Sequence, residues 1–420
     1  MLRVVLFTAL TFACSPATVM ADVALVQRAV DQICPLEDMT GLDAQARLPG
    51  AWLLNETRRP ATGMANVIDL TLDLGAEGVL EINRLQPGGG LRRFTVSLFA
   101  RQGEKLAPVL QAAADGSCRL RAGRAIRTEA DGWVWLDQLE DDLVTLRWSE
   151  ILQMPWPEGR DPGGIRVALV DSGLAYNLPG IADRLARDAT GHPLGYDFWD
   201  MDPWPYDGDT GRNPFAPIRH GTAVASVLLR EAPSAQVIPL RYPRPDMSRM
   251  GDVVAHAADA GARILAMPLG SRSAADWTAF TEALARHDML AIVSAGNNGQ
   301  DIDATPLYPA TLPLDNMLVV TSSDGFGKLA EGSNWGGQSV DIMLPAERVP
   351  VTDFRGAAAT ASGSSYAVPR LAALAVRLLE RDPNLDARSL RAALLARAKP
   401  SPFEEEGRLA AGWIANPLDD

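Results

Sequence analysis

The spacing of the apolar residues changes partway along the chain, and the change divides it in two. In the first part apolar and polar positions alternate. Across Val67-Ile68-Asp69-Leu70-Thr71-Leu72-Asp73-Leu74 the positions 68, 70, 72 and 74 are apolar, the period of a strand with one buried face. Residues 79–82, 94–99 and 133–136 read the same way, with turn signals between them at Gly75, Pro87-Gly88-Gly89-Gly90, Asp115-Gly116 and Asp131-Gly132. Residues 65–148 therefore predict a small antiparallel sheet. Ahead of it, Val23, Leu25, Val26, Val30 and Ile33 recur at helical spacing over 22–34. Beyond residue 164 the strands become apolar nearly end to end: 165–170, 236–240, 263–267 and 289–293. Helical patterns separate them. Such strands are buried on both faces, which predicts an α/β fold with a mostly parallel sheet covered by helices on both faces.

The Pro- and Gly-rich stretch 151–164, which includes Pro155-Trp156-Pro157 and Pro162-Gly163-Gly164, reads as the linker between the parts. The expected organisation is a helix and mainly antiparallel β domain over 22–150, the linker, an α/β domain over 165–400, and a tail over 401–420. A length of 420 residues accommodates this.

The formal net charge is -13, and only Lys105, Lys328 and Lys399 are lysines among 39 basic residues. A chain so acidic is not a general nucleic-acid binder, which needs a basic face for phosphate. At the start, Arg3 precedes the apolar run Val4-Val5-Leu6-Phe7-Thr8-Ala9-Leu10, and small residues follow at Val19-Met20-Ala21. This is the pattern of a secretory signal peptide over 1–21. The run is too short for a membrane span of about 20 residues. The competing reading is a lipoprotein signal that ends at Cys14. Export leaves Cys34 and Cys118 as an even pair. An oxidising compartment favours a disulfide between them over two separate buried thiols.

Four polar features fall at strand ends or helix starts in the second part. Asp171 closes the strand 165–170 in Val170-Asp171-Ser172-Gly173. His220 opens a helix in His220-Gly221-Thr222-Ala223-Val224-Ala225-Ser226, and it is one of only four histidines, with His192, His256 and His287. Asn297 lies in the turn Ser294-Ala295-Gly296-Asn297-Asn298-Gly299. Ser365 lies in Ser362-Gly363-Ser364-Ser365-Tyr366-Ala367-Val368-Pro369, ahead of an apolar helix whose first turn would hold Pro369. Each has an ordinary structural explanation: turn residue, helix cap or buried histidine. Each also has a chemical one, as carboxylate partner, general base, oxyanion donor and nucleophile.

Taken together and in this order, the four motifs closely resemble those of the subtilisin-like serine proteases, over about 150–400. The spacings between the four residues are 49, 77 and 68. Ser333-Asn334-Trp335-Gly336 and Tyr308-Pro309-Ala310 add weaker matches. The resemblance implies acyl transfer: Ser365 attacks a peptide carbonyl, His220 carries the proton, Asp171 orients His220, and Asn297 with the Ser365 N–H holds the oxyanion. It also implies a substrate site made by Pro268-Leu269-Gly270 and Ser294-Ala295-Gly296. Leu307 stands at the pocket floor, where glycine occurs in relatives that accept large aromatic P1 groups, so a small P1 side chain is expected.

The chain departs from the family pattern at Ala266-Met267-Pro268-Leu269-Gly270, where Asn-x-Ser-Leu-Gly is usual. Pro268 loses an N–H but keeps its carbonyl, so an extended peptide can still add as a strand. Asp197, Asp200, Asp202, Asp207 and Asp209 form an acidic run before His220. Clustered carboxylates suit calcium, but the run lacks a calcium-loop signature and reads as a solvated loop. No cofactor is required. The partner implied is a polypeptide substrate. The functional expectation is an exported serine endopeptidase, against a catalytically silent peptide-binding or scaffold protein of the same fold. The region 22–150 is either a cleaved prosegment or a permanent accessory domain.

Overall fold

The computed structural model describes residues 16–37, 39–61, 65–103, 105–403 and 407–419. The apolar run from Arg3 to Leu10 and the alternative lipid site at Cys14 lie outside them. Two compact units result, one of residues 16–155 with Arg212–Ala216, the other of Trp156–Gly211 with residues 217–419.

The first unit opens with helices α1 (Pro16–Ile33) and α2 (Gly41–Arg47). Eight strands follow: β1 (Trp52–Ala61), β2 (Ala65–Asp73), β3 (Val79–Pro87), β4 (Arg93–Gln102), β5 (Lys105–Asp115), β6 (Leu120–Thr128), β7 (Val134–Leu139) and β8 (Leu146–Gln153). They form one antiparallel meander in which each strand pairs with the next. Alternation along β2–β4 sends Leu70, Leu80, Phe94 and Leu98 to one face, where they are buried with Val26, Val30 and Ile33 of α1. The other face takes the five downstream residues of the unit. Phe215 packs edge-on against Phe99 at 6.2 Å, and Arg124 donates to the Phe215 carbonyl at 2.8 Å. Strand β8 extends into the stretch expected to be linker, because residues 146–153 complete the ladder with β7.

Cys34 and Cys118 form a disulfide with Cα atoms 5.7 Å apart. It ties the end of α1 to the β5–β6 turn across a sequence separation of 84 residues. Closing a loop of that size stabilises by about 4 kcal/mol on chain-entropy grounds.

The second unit comprises β9 (Ile165–Asp171), β10 (Tyr196–Asp197), α3 (Gly221–Glu231), β11 (Ala235–Arg241), α4 (Met250–Asp259), β12 (Ile264–Met267), α5 (Thr278–Leu284), β13 (Leu290–Ser294), β14 (Met317–Ser323) and β15 (Ile342–Pro345). A small hairpin, β16 (Val349–Thr352) with β17 (Ala358–Ala361), precedes α6 (Ser364–Arg381), α7 (Ala387–Leu395) and β18 (Gly412–Trp413). The main sheet runs β10-β11-β9-β12-β13-β14-β15-β18, and every pairing in it is parallel. The stretch expected to be a tail thus supplies an edge strand, since Gly412 and Trp413 pair with Ile342 and Met343. Val170, Leu240, Met267 and Val293 face Met250, Val254 and Phe280 of α4 and α5 in one core. Helices α3 and α6 pack on each other, and α6 lies along β12, β13 and β14. In this topology the carboxyl ends of β9 and β13 lie along one edge of the sheet, where ligands bind in such folds.

Candidate active site

Asp171 ends β9 and is buried. Both of its carboxylate oxygens lie 2.8 Å from Nδ1 of His220, and Oδ1 also accepts from the Ser172 N–H at 2.6 Å. His220 is the residue before α3. Its approach to β9 requires glycine at 221, because a Cβ there would fall 2.0 Å from the Gly173 carbonyl oxygen. The His220 side chain keeps 30% of its surface exposed, so one edge of the ring remains accessible. Burial disfavours its charged form. The Asp171 carboxylate, by charge and by hydrogen bond, and the charge of Asp207 outweigh this, so the imidazole is pushed up to about 9.

Asn297 lies in the exposed turn after β13. Its Oδ1 accepts from the Ser364 N–H at 2.9 Å and the Ser364 hydroxyl at 3.0 Å. This anchors the exposed side chain by its oxygen and leaves the NH₂ group out of that contact. The turn itself is held by Asn334, which is 1% exposed. Asn334 donates from Nδ2 to the Ala295 carbonyl at 2.8 Å and accepts at Oδ1 from the N–H groups of Asn298 and Gln300.

Ser365 is the second residue of α6, half-buried, at the end where N–H groups lack helical partners. Its predecessor is bonded to Asn297, and the ring of its successor, Tyr366, lies 5.9 Å from the His220 ring. Gly363 caps the start of the helix, and its φ of +125° and close approach to Asn297 suit only glycine. The sequence reading puts Pro369 in the first turn. The helix in fact begins earlier, so Pro369 is its sixth residue. The N–H that Pro369 lacks is the one that would bond the carbonyl of Ser365.

Pro268, Leu269 and Gly270 follow β12 directly, and Ser271 then exchanges two 2.8 Å backbone hydrogen bonds with Tyr308. Ser294 and Ala295 are buried at the end of β13, and Ala295 N–H bonds to Val320. Leu307 reaches between these segments. A Cβ on Gly296 would meet its Cδ2 at 2.8 Å, and one on Gly270 would meet its Cγ at 3.6 Å.

The acidic run is not solvated throughout: Asp200 is exposed, but two of its members are buried. Asp197 is 1% exposed and Asp207 0%. Asp197 pairs at 2.8 Å with Arg241, which the parallel register of β10 and β11 sets beside it, and Asp200 pairs with the same guanidinium. Asp209 accepts from the Tyr242 hydroxyl at 2.7 Å, and Asp202 accepts from the Trp204 N–H at 2.8 Å. Asp207 accepts from the Ser172 hydroxyl at 2.7 Å and from the N–H groups of His220 and Thr222. Charge alone does not reveal these partners, because Arg241 and Ser172 are distant in sequence.

Residues 163–413 match the subtilase family. A thermophilic serine proteinase of Bacillus sp. (strain AK1) is 27% identical over 246 residues, which cover 54% of this chain and 55% of that protein. Thermitase of Thermoactinomyces vulgaris is 27% identical over 228 residues, 50% of this chain and 74% of its own length. The chain thus spans about half the length of the first of these relatives. The crystal structure of a cold-adapted subtilisin-like serine proteinase covers 63% of this chain and 93% of its own, at 23% identity and a TM-score of 0.50, and so shares the fold.

Proposed function

Since the chain belongs to the subtilase family, we propose that it is an exported serine endopeptidase using Asp171, His220 and Ser365, with Asn297 as oxyanion donor. The observation that carries the reading is the clasp of His220 Nδ1 by both oxygens of Asp171 at 2.8 Å. That contact fixes the tautomer and leaves Nε2 to act. Ser365 Oγ attacks the carbonyl carbon of the scissile bond while His220 Nε2 takes its proton. The tetrahedral intermediate collapses as His220 returns the proton to the leaving amine. Water, activated by His220 in turn, then releases the acyl group. The Asn297 NH₂ and the Ser365 backbone N–H stabilise the oxyanion. Export is supported by the apolar start of the sequence and by the disulfide. Among the described residues no helix is long and apolar enough to cross a membrane.

A fluorophosphonate probe tests the central claim, because only an activated serine reacts with it at a useful rate. Stoichiometric labelling mapped to Ser365 by peptide mass spectrometry is expected. An unlabelled, folded protein would favour the silent peptide-binding alternative.

The placement of Leu307 between Gly270 and Gly296 supports a pocket that takes small P1 side chains such as Ala or Val. Overfilling a packed site costs about 1–3 kcal/mol, which is roughly a five- to 150-fold penalty for Phe or Tyr at P1. In a series of peptides that differ only at P1, Ala is expected to be cleaved faster than Phe. Leu307→Gly should recover most of that ratio. Faster cleavage after Phe by the unaltered protein would remove Leu307 as the determinant.

A further inference from the structure

We propose that Asp207 is a positioning residue for His220: its carboxylate caps α3 in place of the His220 side chain and stands as a second negative charge behind the imidazole. The inference rests on His220 being the general base.

The first N–H groups of a helix have no intrahelical partner, and the residue before the helix usually supplies a side-chain oxygen for one of them. Here that residue is His220. Its ring is committed to Asp171, and it makes no capping bond of its own. Asp207 takes over from a distance of 13 residues. Its Oδ1 accepts from the His220 N–H at 3.2 Å and its Oδ2 from the Thr222 N–H at 3.0 Å. The Ser172 hydroxyl donates to Oδ1 at 2.7 Å, which turns its own lone pairs toward the N–H groups of His220 at 3.1 Å and Gly221 at 3.0 Å. The N–H groups of 220, 221 and 222 therefore all end on Asp207 or on the hydroxyl it orients. Negative charge at a helix N-terminus is favourable, and Asp207 is fully buried there.

One histidine is thus gripped twice. Asp171, next to Ser172 in the chain, holds the ring, and Asp207 holds the backbone that aims the ring. The charged and titratable groups that face His220 are Asp171 from β9, Asp207 from the loop before α3, and Tyr366 from α6. Burial, together with the two carboxylates, pushes the Tyr366 phenol up to about 12, so it stays neutral. Burial pulls His220 down and the two carboxylates push it up. The base acts only when neutral, so activity rises with pH through the His220 titration. Removing the Asp207 charge should move that rise to lower pH.

Asp207→Asn keeps an acceptor oxygen and removes the charge. The acid limb of kcat/KM is expected to move down by about one pH unit. Loss of the second acceptor should lower kcat by about ten- to a hundredfold, with KM little changed. The His220 titration can also be read without activity, by C2–H exchange and mass spectrometry in a Ser365→Ala background. The same downward shift is expected there, so failure of this role and failure of the nucleophile assignment are read separately. A His220 titration unmoved by Asp207→Asn overturns the proposal. If that variant does not fold, Ser172→Ala keeps the charge and removes the relay. Lower kcat with an unshifted limb is then expected, and an unchanged kcat overturns the proposal.

Discussion

Ser365→Ala is expected to reduce kcat on a cleavable peptide by about a millionfold, the loss seen when the nucleophile of subtilisin, a member of the same family, is removed. The residual rate should still exceed that in water by about 10³–10⁴, because substrate binding and oxyanion donors remain. Two serines stand side by side, and the structure distinguishes them. Ser364 is 0% exposed, donates to Asn297 and accepts from the Gly296 N–H at 3.2 Å. Its hydroxyl is engaged in holding the turn that carries Asn297. Ser365 is half-buried at the open end of α6. Ser364→Ala should therefore cost far less than Ser365→Ala and leave fluorophosphonate labelling intact. Active-site titration of both purified variants, with folding checked by circular dichroism, is the measurement. Substantial turnover by Ser365→Ala would falsify the nucleophile assignment.

Removing the Asn297 amide should lower kcat by about 10²–10³, the range that follows from loss of the corresponding donor in subtilisin. The geometry explains why kcat and not KM should respond. Asn297 is pinned through Oδ1 to the Ser364 N–H and hydroxyl, so its NH₂ is set before substrate arrives. In the proposed mechanism it meets full negative charge only when the carbonyl becomes tetrahedral. An interaction made chiefly in the transition state lowers kcat and kcat/KM together when it is lost. Asn297→Ala assayed under saturating and limiting peptide separates the two constants. A rise in KM with kcat preserved would show that Asn297 binds ground-state substrate instead.

The two sheets were legible to different degrees. The helix over 22–34 and strands β2, β3, β4 and β7 follow from period and turn chemistry. Strands β1, β5, β6 and β8 do not. Lys105–Asp115 reads Lys-Leu-Ala-Pro-Val-Leu-Gln-Ala-Ala-Ala-Asp, and its alanines and proline carry little strand preference. Pairing with β4 and β6 makes it a strand. In the second unit the apolar runs at 165–170 and 289–293 announce parallel strands, because both faces are covered. The motif residues are legible because each lies in a short local pattern. Asp207 is not, since its importance comes from a partner 35 residues away at Ser172; Asn334 stands in a weaker motif, but its hold on the Ala295 carbonyl, 39 residues away, cannot be read from it. A local pattern of charge cannot report such contacts, and the acidic run looked solvated for that reason.

The two sheets also differ in how far apart in the chain their partners lie. In the meander every strand pairs with its immediate successor, as in Leu72 with Leu80. In the parallel sheet β9 pairs with β11 and β12, so Val167 meets Val237 and Ile264. Loop-closure entropy has to be overcome before such distant contacts return any stability, and folding slows accordingly. The meander can assemble hairpin by hairpin as soon as its residues are available, and it lies first in the chain. The parallel sheet must wait for β11 and β12 before its strand β9 is flanked on both sides. During that interval Val167, Leu169 and their neighbours lack the strands that cover them, so the second unit is expected to be the slower-folding and more aggregation-prone half of the chain.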